Sequence, residues 1–144
     1  SIRIYPGSAF SLYNFAVLKI ETGRPAEALD LLREAVKADP DDYNSWNNLG
    51  VVSFQEGQFD SALRYFLRME QLRPGDPAIV DAIGVTYSRK NDYDNAVGYF
   101  KKALTIDPSR TLTYDKLIEM LVNHGDTARA RYYRGMALMN GRQM

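Results

Sequence analysis

Residues 43–76 read YNSWNNLGVVSFQEGQFDSALRYFLRMEQLRPGD, and this stretch decides the fold. Trp46, Leu49 and Gly50 fall at i, i+3 and i+4, one face of a helix. Gly57 interrupts that pattern, as a residue that accepts the left-handed conformation does at a helix end. Phe59, Ala62, Leu63, Phe66 and Met69 then form a second apolar face at helical spacing. Pro74 closes the stretch, because proline lacks the amide donor that a continuing helix needs. A turn as short as the one at Gly57 joins only antiparallel helices.

Working outward, the same marks recur every 34 residues. The closing prolines are Pro6, Pro40, Pro74 and Pro108, and the helix stops are Gly23, Gly57, Asn91 and Gly125. Asn shares with Gly a tolerance of the left-handed region, so Asn91 keeps the rule. Small residues stand at Ala28, Ala62, Ala96 and Ala130, where they let the paired helices approach. Four residues on come Leu32, Phe66, Phe100 and Arg134, and three further Ala35, Met69, Ala103 and Ala137. The chain therefore divides into helix-pair repeats at 9–42, 43–76, 77–110 and 111–144, with 1–8 as the tail of an earlier repeat. Pro25 starts a helix just after its turn, where a missing N–H costs nothing. The tail reads as the end of a helix from a longer protein. The face of the first repeat, near Leu12, Phe15 and Leu18, is then expected to be bare and apolar, and self-association through it is a further expectation. In the last repeat Arg131 and Arg134 replace apolar residues, as a solvent-facing cap would. The alternative is a second helix that shifts register or packs on a partner through Tyr132, Tyr133 and Met136.

Composition excludes several classes. The chain has 144 residues, 18 Lys+Arg against 18 Asp+Glu, a formal net charge of +0, and no Cys. With 45% hydrophobic residues it is not a disordered chain. Disulfides and thiolate metal sites are excluded, and no apolar run is long enough to span a bilayer, so membrane insertion is not expected. Zero net charge argues against a nucleic-acid partner. The sequence leaves the compartment open between cytoplasm and periplasm.

Catalysis needs a placed nucleophile, base or metal. The lone His124 stands at a turn with no second ligand at metal-site spacing. Asp39, Asp41 and Asp42 flank Pro40 and Asp76 precedes Pro77, where carboxylates cap helices and offset their dipoles. The arginines Arg129, Arg131, Arg134 and Arg142 read as a solvated face. No enzyme activity, metal or cofactor is expected.

The order Trp-x2-Leu-Gly, then Ala-x3-Phe, then Pro on this period resembles the tetratricopeptide repeat. Trp46, Leu49, Gly50, Ala62, Phe66 and Pro74 carry the resemblance, with Ser53 where the family has Tyr; Gly84, Tyr87, Ala96, Phe100 and Pro108 repeat it. The first repeat departs at Leu12 and Ala16, and the last at Arg134 and Arg142. The resemblance implies an all-α fold, a right-handed superhelical solenoid of antiparallel helix pairs. It also implies that the first helix of each pair lines a concave groove.

Carried onto this chain, the lining of the first repeat includes Phe10, Tyr13, Asn14 and Val17. The second contributes Asn44, Asn47, Asn48, Val51, Phe54 and Gln55. The third contributes Asp81, Val85 and Arg89, and the fourth Asp115, Lys116 and Glu119. Asn14 and Asn48 share a position, and an amide offers both a donor and an acceptor to a peptide backbone. That pairing resembles half of the asparagine ladder of protein O-glycosyltransferase repeats; Ala82 and Lys116 break the column. The alternative is that these Asn residues bridge helices or hold water. The family's two-carboxylate clamp for chaperone tails needs cations where this chain has Tyr13, Ala78 and Ala82, so that ligand is rejected. The reading is a non-catalytic scaffold or adaptor that binds a protein or peptide segment in its groove. The alternatives are a substrate-recognition region of a larger glycosyltransferase-like enzyme and a spacer with no ligand.

Overall fold

The computed structural model describes residues 8–141, so Pro6 and Arg142 lie outside the described residues. Eight α-helices follow one another there: α1 (Ala9–Glu21), α2 (Pro25–Ala38), α3 (Tyr43–Gln55), α4 (Phe59–Leu72), α5 (Pro77–Arg89), α6 (Tyr93–Ile106), α7 (Thr111–Asn123) and α8 (Thr127–Gly141). They pack as consecutive antiparallel pairs. The chain forms two compact units, α1–α4 and α5–α8.

Each pair is closed by the same turn. At Gly23 the φ angle is 74°, the amide of Arg24 donates to the Lys19 carbonyl at 2.8 Å, and that of Gly23 donates to Ile20. These two hydrogen bonds satisfy carbonyls that a helix end otherwise leaves free. Gly57, Asn91 and Gly125 close their pairs with the same two bonds, one period apart. Asn91, at φ 62°, is the only non-glycine residue with positive φ among the described residues. Some helix starts carry polar side-chain caps: Ser8 accepts from the Ser11 amide, Asp76 from that of Ala78 and Asp126 from that of Arg129, while α2, α3 and α7 have no side-chain cap bond. The arginine amide, and then its guanidinium, hold the Asp126 carboxyl below its ordinary range.

In the first unit Ala16, Ala28, Leu29, Leu32, Val36, Leu49 and Val52 form one core that ties α1, α2 and α3 together. In the second, Val97, Phe100 and Leu104 of α6 meet Tyr114, Leu117 and Leu121 of α7, with Ala130 and Tyr133 of α8. Volume is traded across the first three pairs. A Cβ on Gly50 would stand 2.5 Å from the Phe66 ring, and one on Gly84 2.9 Å from that of Phe100. In α1 and α2 the same two places hold Ala16 and Leu32, both fully buried: a larger residue on one helix faces a smaller one on the other.

The first and the last helix pair each carry apolar residues in the open. Phe15 is 53% exposed, whereas Leu49 and Leu117 at the same repeat position are buried against α2 and α6. Leu12, expected on that bare face, is instead buried. Along α8, Ala130 and Tyr133 are buried, whereas Arg131 and Arg134 are exposed where Val97 and Phe100 of α6 are buried. Tyr132, Leu138 and Met139 are exposed as well, which makes this outer face mixed and not purely polar.

Candidate functional site

In the first unit α1 and α3 both pack on α2 and carry the candidate binding residues of the first two repeats. Phe10, Asn14, Asn44, Val51 and Gln55 are exposed, and Tyr13, Val17, Asn47, Asn48 and Phe54 are half-buried. The Phe54 ring sits edge-on to Phe59 at 5.2 Å, which anchors it to α4. The core faces of α1 and α3 are taken by Ala16, Leu49 and Val52. The side-chain amides of Asn14, Asn44, Asn47 and Asn48 have no hydrogen-bond partner among the described residues. They bridge no helices there. Asn44, Asn47, Asn48 and Val51 share one face of α3 by helical spacing, and Phe10, Tyr13, Asn14 and Val17 share one face of α1.

In the second unit Val85 is half-buried, Arg89 is exposed, and on α7 Asp115 and Glu119 are exposed and Lys116 half-buried. Asp81 departs from the expectation. Its side chain is 1% exposed; Arg110 Nε donates to Oδ2 at 2.7 Å, and Thr113 Oγ1 stands 2.8 Å from both carboxylate oxygens. Burial makes an unpaired carboxylate costly, and the segment entering α7 supplies both partners, so Asp81 joins α5 to α7 and faces no ligand. The sequence signal was Arg110 and Thr113, three residues apart at the start of α7. Ser8 with Ser11, and Asp42 with Ser45, pair at the same two repeat positions, but locally.

A second contact also escaped the sequence reading. Trp46 Nε1 donates to the Pro40 carbonyl at 2.7 Å, and the Tyr114 hydroxyl donates to Pro108 at 3.2 Å. In both cases the aromatic follows the closing proline by six residues, so the ring ties each pair to the turn that precedes it. His124 caps α7, and its ring stacks on Tyr93 with centroids 3.8 Å apart. Among the described residues no group of three or more His, Cys, Asp or Glu side chains is gathered as a metal site would require, and no helix is long and apolar enough to cross a membrane.

Two tetratricopeptide repeat signatures match the sequence, one over residues 13–77 and one over residues 80–110. The chain belongs to the tetratricopeptide repeat family. Such repeats are protein–protein interaction modules and are typically non-catalytic. Among solved structures, a crystal structure of MamA superposes with a TM-score of 0.81 at 20% identity, over 96% of this chain and 81% of that one. MamA residues 41 to the end from Desulfovibrio magneticus RS-1 gives 0.82 at 18% identity, over 96% and 78%. Pseudomonas aeruginosa pilF gives 0.74 at 21% identity, over 94% and 62%. These likenesses establish the fold. No curated protein matches the sequence. As a tetratricopeptide repeat protein, the chain shows why the family pairs Gly with Phe: the Phe66 and Phe100 rings occupy the space that a Cβ would need.

Proposed function

We propose that this protein is a non-catalytic scaffold or adaptor that binds a peptide segment of a partner across α1 and α3. The observation that carries the reading is the set of four side-chain amides, on Asn14, Asn44, Asn47 and Asn48, that have no hydrogen-bond partner among the described residues. An extended ligand satisfies them with its backbone and seats an apolar side chain near Phe10, Tyr13 and Val51. Gln55 extends the same polar row. Affinity rests on the aromatic anchors, and exposed charges such as Arg89, Asp115 and Glu119 act on specificity and rate.

The test is a selection of phage-displayed random peptides on the protein, with every recovered clone re-assayed on an Asn14→Ala/Asn48→Ala variant. Neither amide has a hydrogen-bond partner among the described residues, so the variant keeps its stability to within about 0.5 kcal/mol. Clones that bind the parent and lose at least about tenfold on the variant support this face, the scale of one or two lost hydrogen bonds to a ligand. Clones that bind both equally, or no clones at all, refute it and favour the spacer reading.

A further inference from the structure

A cleft of about 400 Å³ opens in the second unit between the C-terminal half of α6, the start of α7 and the outer part of α8. Leu104, Tyr114 and Tyr133 form its buried floor, and Lys101 and Tyr132 stand exposed at its rim. Met136 and Asn140 complete the wall, and Asn140 Nδ2 donates to the Tyr114 hydroxyl at 2.7 Å. Burial pushes the Tyr133 phenol above its ordinary range. Lys101 is the single charged residue of the lining, and it has no ion-pair partner among the described residues.

The first unit shows what belongs in such a place. Subtracting two repeat periods maps Tyr114 onto Trp46, Tyr133 onto Tyr65, Lys101 onto Arg33 and Met136 onto Arg68. There the space is filled from within. The Arg68 guanidinium lies 5.9 Å from the Trp46 ring centroid, and Arg33 Nε donates to the Tyr65 hydroxyl. Both cations are neutralised, Arg33 by Asp30 at 2.9 Å and Arg68 by Asp41 at 3.8 Å. In the second unit Met replaces the filling arginine, while Gly98 and Ser109 stand where Asp30 and Asp41 do. The filling side chain and both acids are gone, and a cation remains beside three tyrosines.

We propose that this cleft is a binding site for an acidic peptide segment of a partner. One large apolar side chain of that segment seats between Tyr114, Tyr132 and Met136, and a neighbouring carboxylate takes Lys101. Charge complementarity selects this occupant: the lining offers one unneutralised ammonium and no acid. The aromatic floor supplies the apolar contact. The site is built from α6, α7 and α8 and shares no residue with the face on α1 and α3.

The probes are a fluorescein-labelled peptide, Asp-Glu-Phe-Glu-Asp, and its counterpart with Lys at every acidic position. Anisotropy reads affinity, and the methyl-carbon resonances of the methionines read location. The acidic peptide is expected to shift Met136 saturably while Met69, buried in α4, stays still. Lys101→Glu and Tyr132→Ala, both at exposed positions, weaken binding about tenfold each, the size of a lost rim charge or anchor. Met136→Arg puts the first unit's filling group into the cleft and abolishes binding with an unchanged circular dichroism spectrum. Asn14→Ala/Asn48→Ala leaves the titration as it was. A still Met136 resonance, equal binding of the basic peptide, or undiminished affinity in Lys101→Glu would each overturn the proposal.

Discussion

Gly50→Ala tests the packing rule directly. In most helices this change stabilises by about 1 kcal/mol, because Ala is the better helix former. Gly50 is inside α3, and the added Cβ would meet Phe66 Cε1 at 2.5 Å, Cδ1 at 2.7 Å and Cζ at 3.0 Å. Ordinary carbon contacts fall at about 3.5–4.0 Å, so the deficit is about 1 Å across three atoms. The Phe66 ring is 5% exposed and has no open side to swing into, so α3 and α4 must separate or the ring must leave its rotamer. Overpacking of that kind costs about 3 kcal/mol, and the propensity gain leaves a net loss of about 2 kcal/mol. In urea unfolding followed by far-ultraviolet circular dichroism, the midpoint falls by about 1 M at an m-value of about 2 kcal/mol/M. Phe66→Leu should rescue Gly50→Ala, because it recreates the Ala16 and Leu32 pair of the first repeat; the coupling between the two changes is then at least about 1 kcal/mol. Gly84→Ala, with its nearest approach at 2.9 Å, loses less, about 0–1 kcal/mol. If Gly50→Ala raises the midpoint, or Phe66→Leu fails to rescue it, the volume-trading account is wrong.

Asp81→Ala strands Arg110 and Thr113 and costs about 3 kcal/mol in thermal or urea unfolding; a loss under about 1 kcal/mol would mean that water replaces the carboxylate freely. Trp46→Phe and Tyr114→Phe each remove one bond to a proline carbonyl, and each lowers stability by about 1 kcal/mol in the same assay. Tyr133 carries a pH signature. Its phenol is raised by burial, so its contribution to stability is whole below the unfolded pKa of about 10 and is lost as pH rises through the higher folded value. Tyr133→Phe should therefore decline less than the parent between neutral and strongly alkaline pH, and parallel curves would show that burial does not govern this phenol.

The helix pairs were legible because their marks are local. Gly23, Gly57, Asn91 and Gly125 each set a backbone angle that no neighbour has to impose, and the turn bonds follow from that angle. The period then identified the architecture, since an Ala and an aromatic one turn apart recur in phase. The phase of the first-helix residues was legible for the same reason: Asn14 and Asn48 sit one period apart, and neither side chain has a hydrogen-bond partner among the described residues.

What the sequence could not decide was which polar residues the protein keeps for itself. Asp81 occupies a position that matches exposed Asp115, yet Arg110 and Thr113 draw it inward from about 30 residues away, a pairing that no helical periodicity encodes. The cleft between α6, α7 and α8 is the converse case. Lys101, Tyr114, Tyr133 and Met136 are unremarkable as a string, and only packing shows that arginines fill the matching space in the first unit and that no described residue fills it in the second. The sequence by itself determined the turns, the helices and their phase, because those depend on residues within one turn of each other. Tertiary structure alone decided which charges are neutralised and which spaces are filled, because both depend on side chains that meet across different helices.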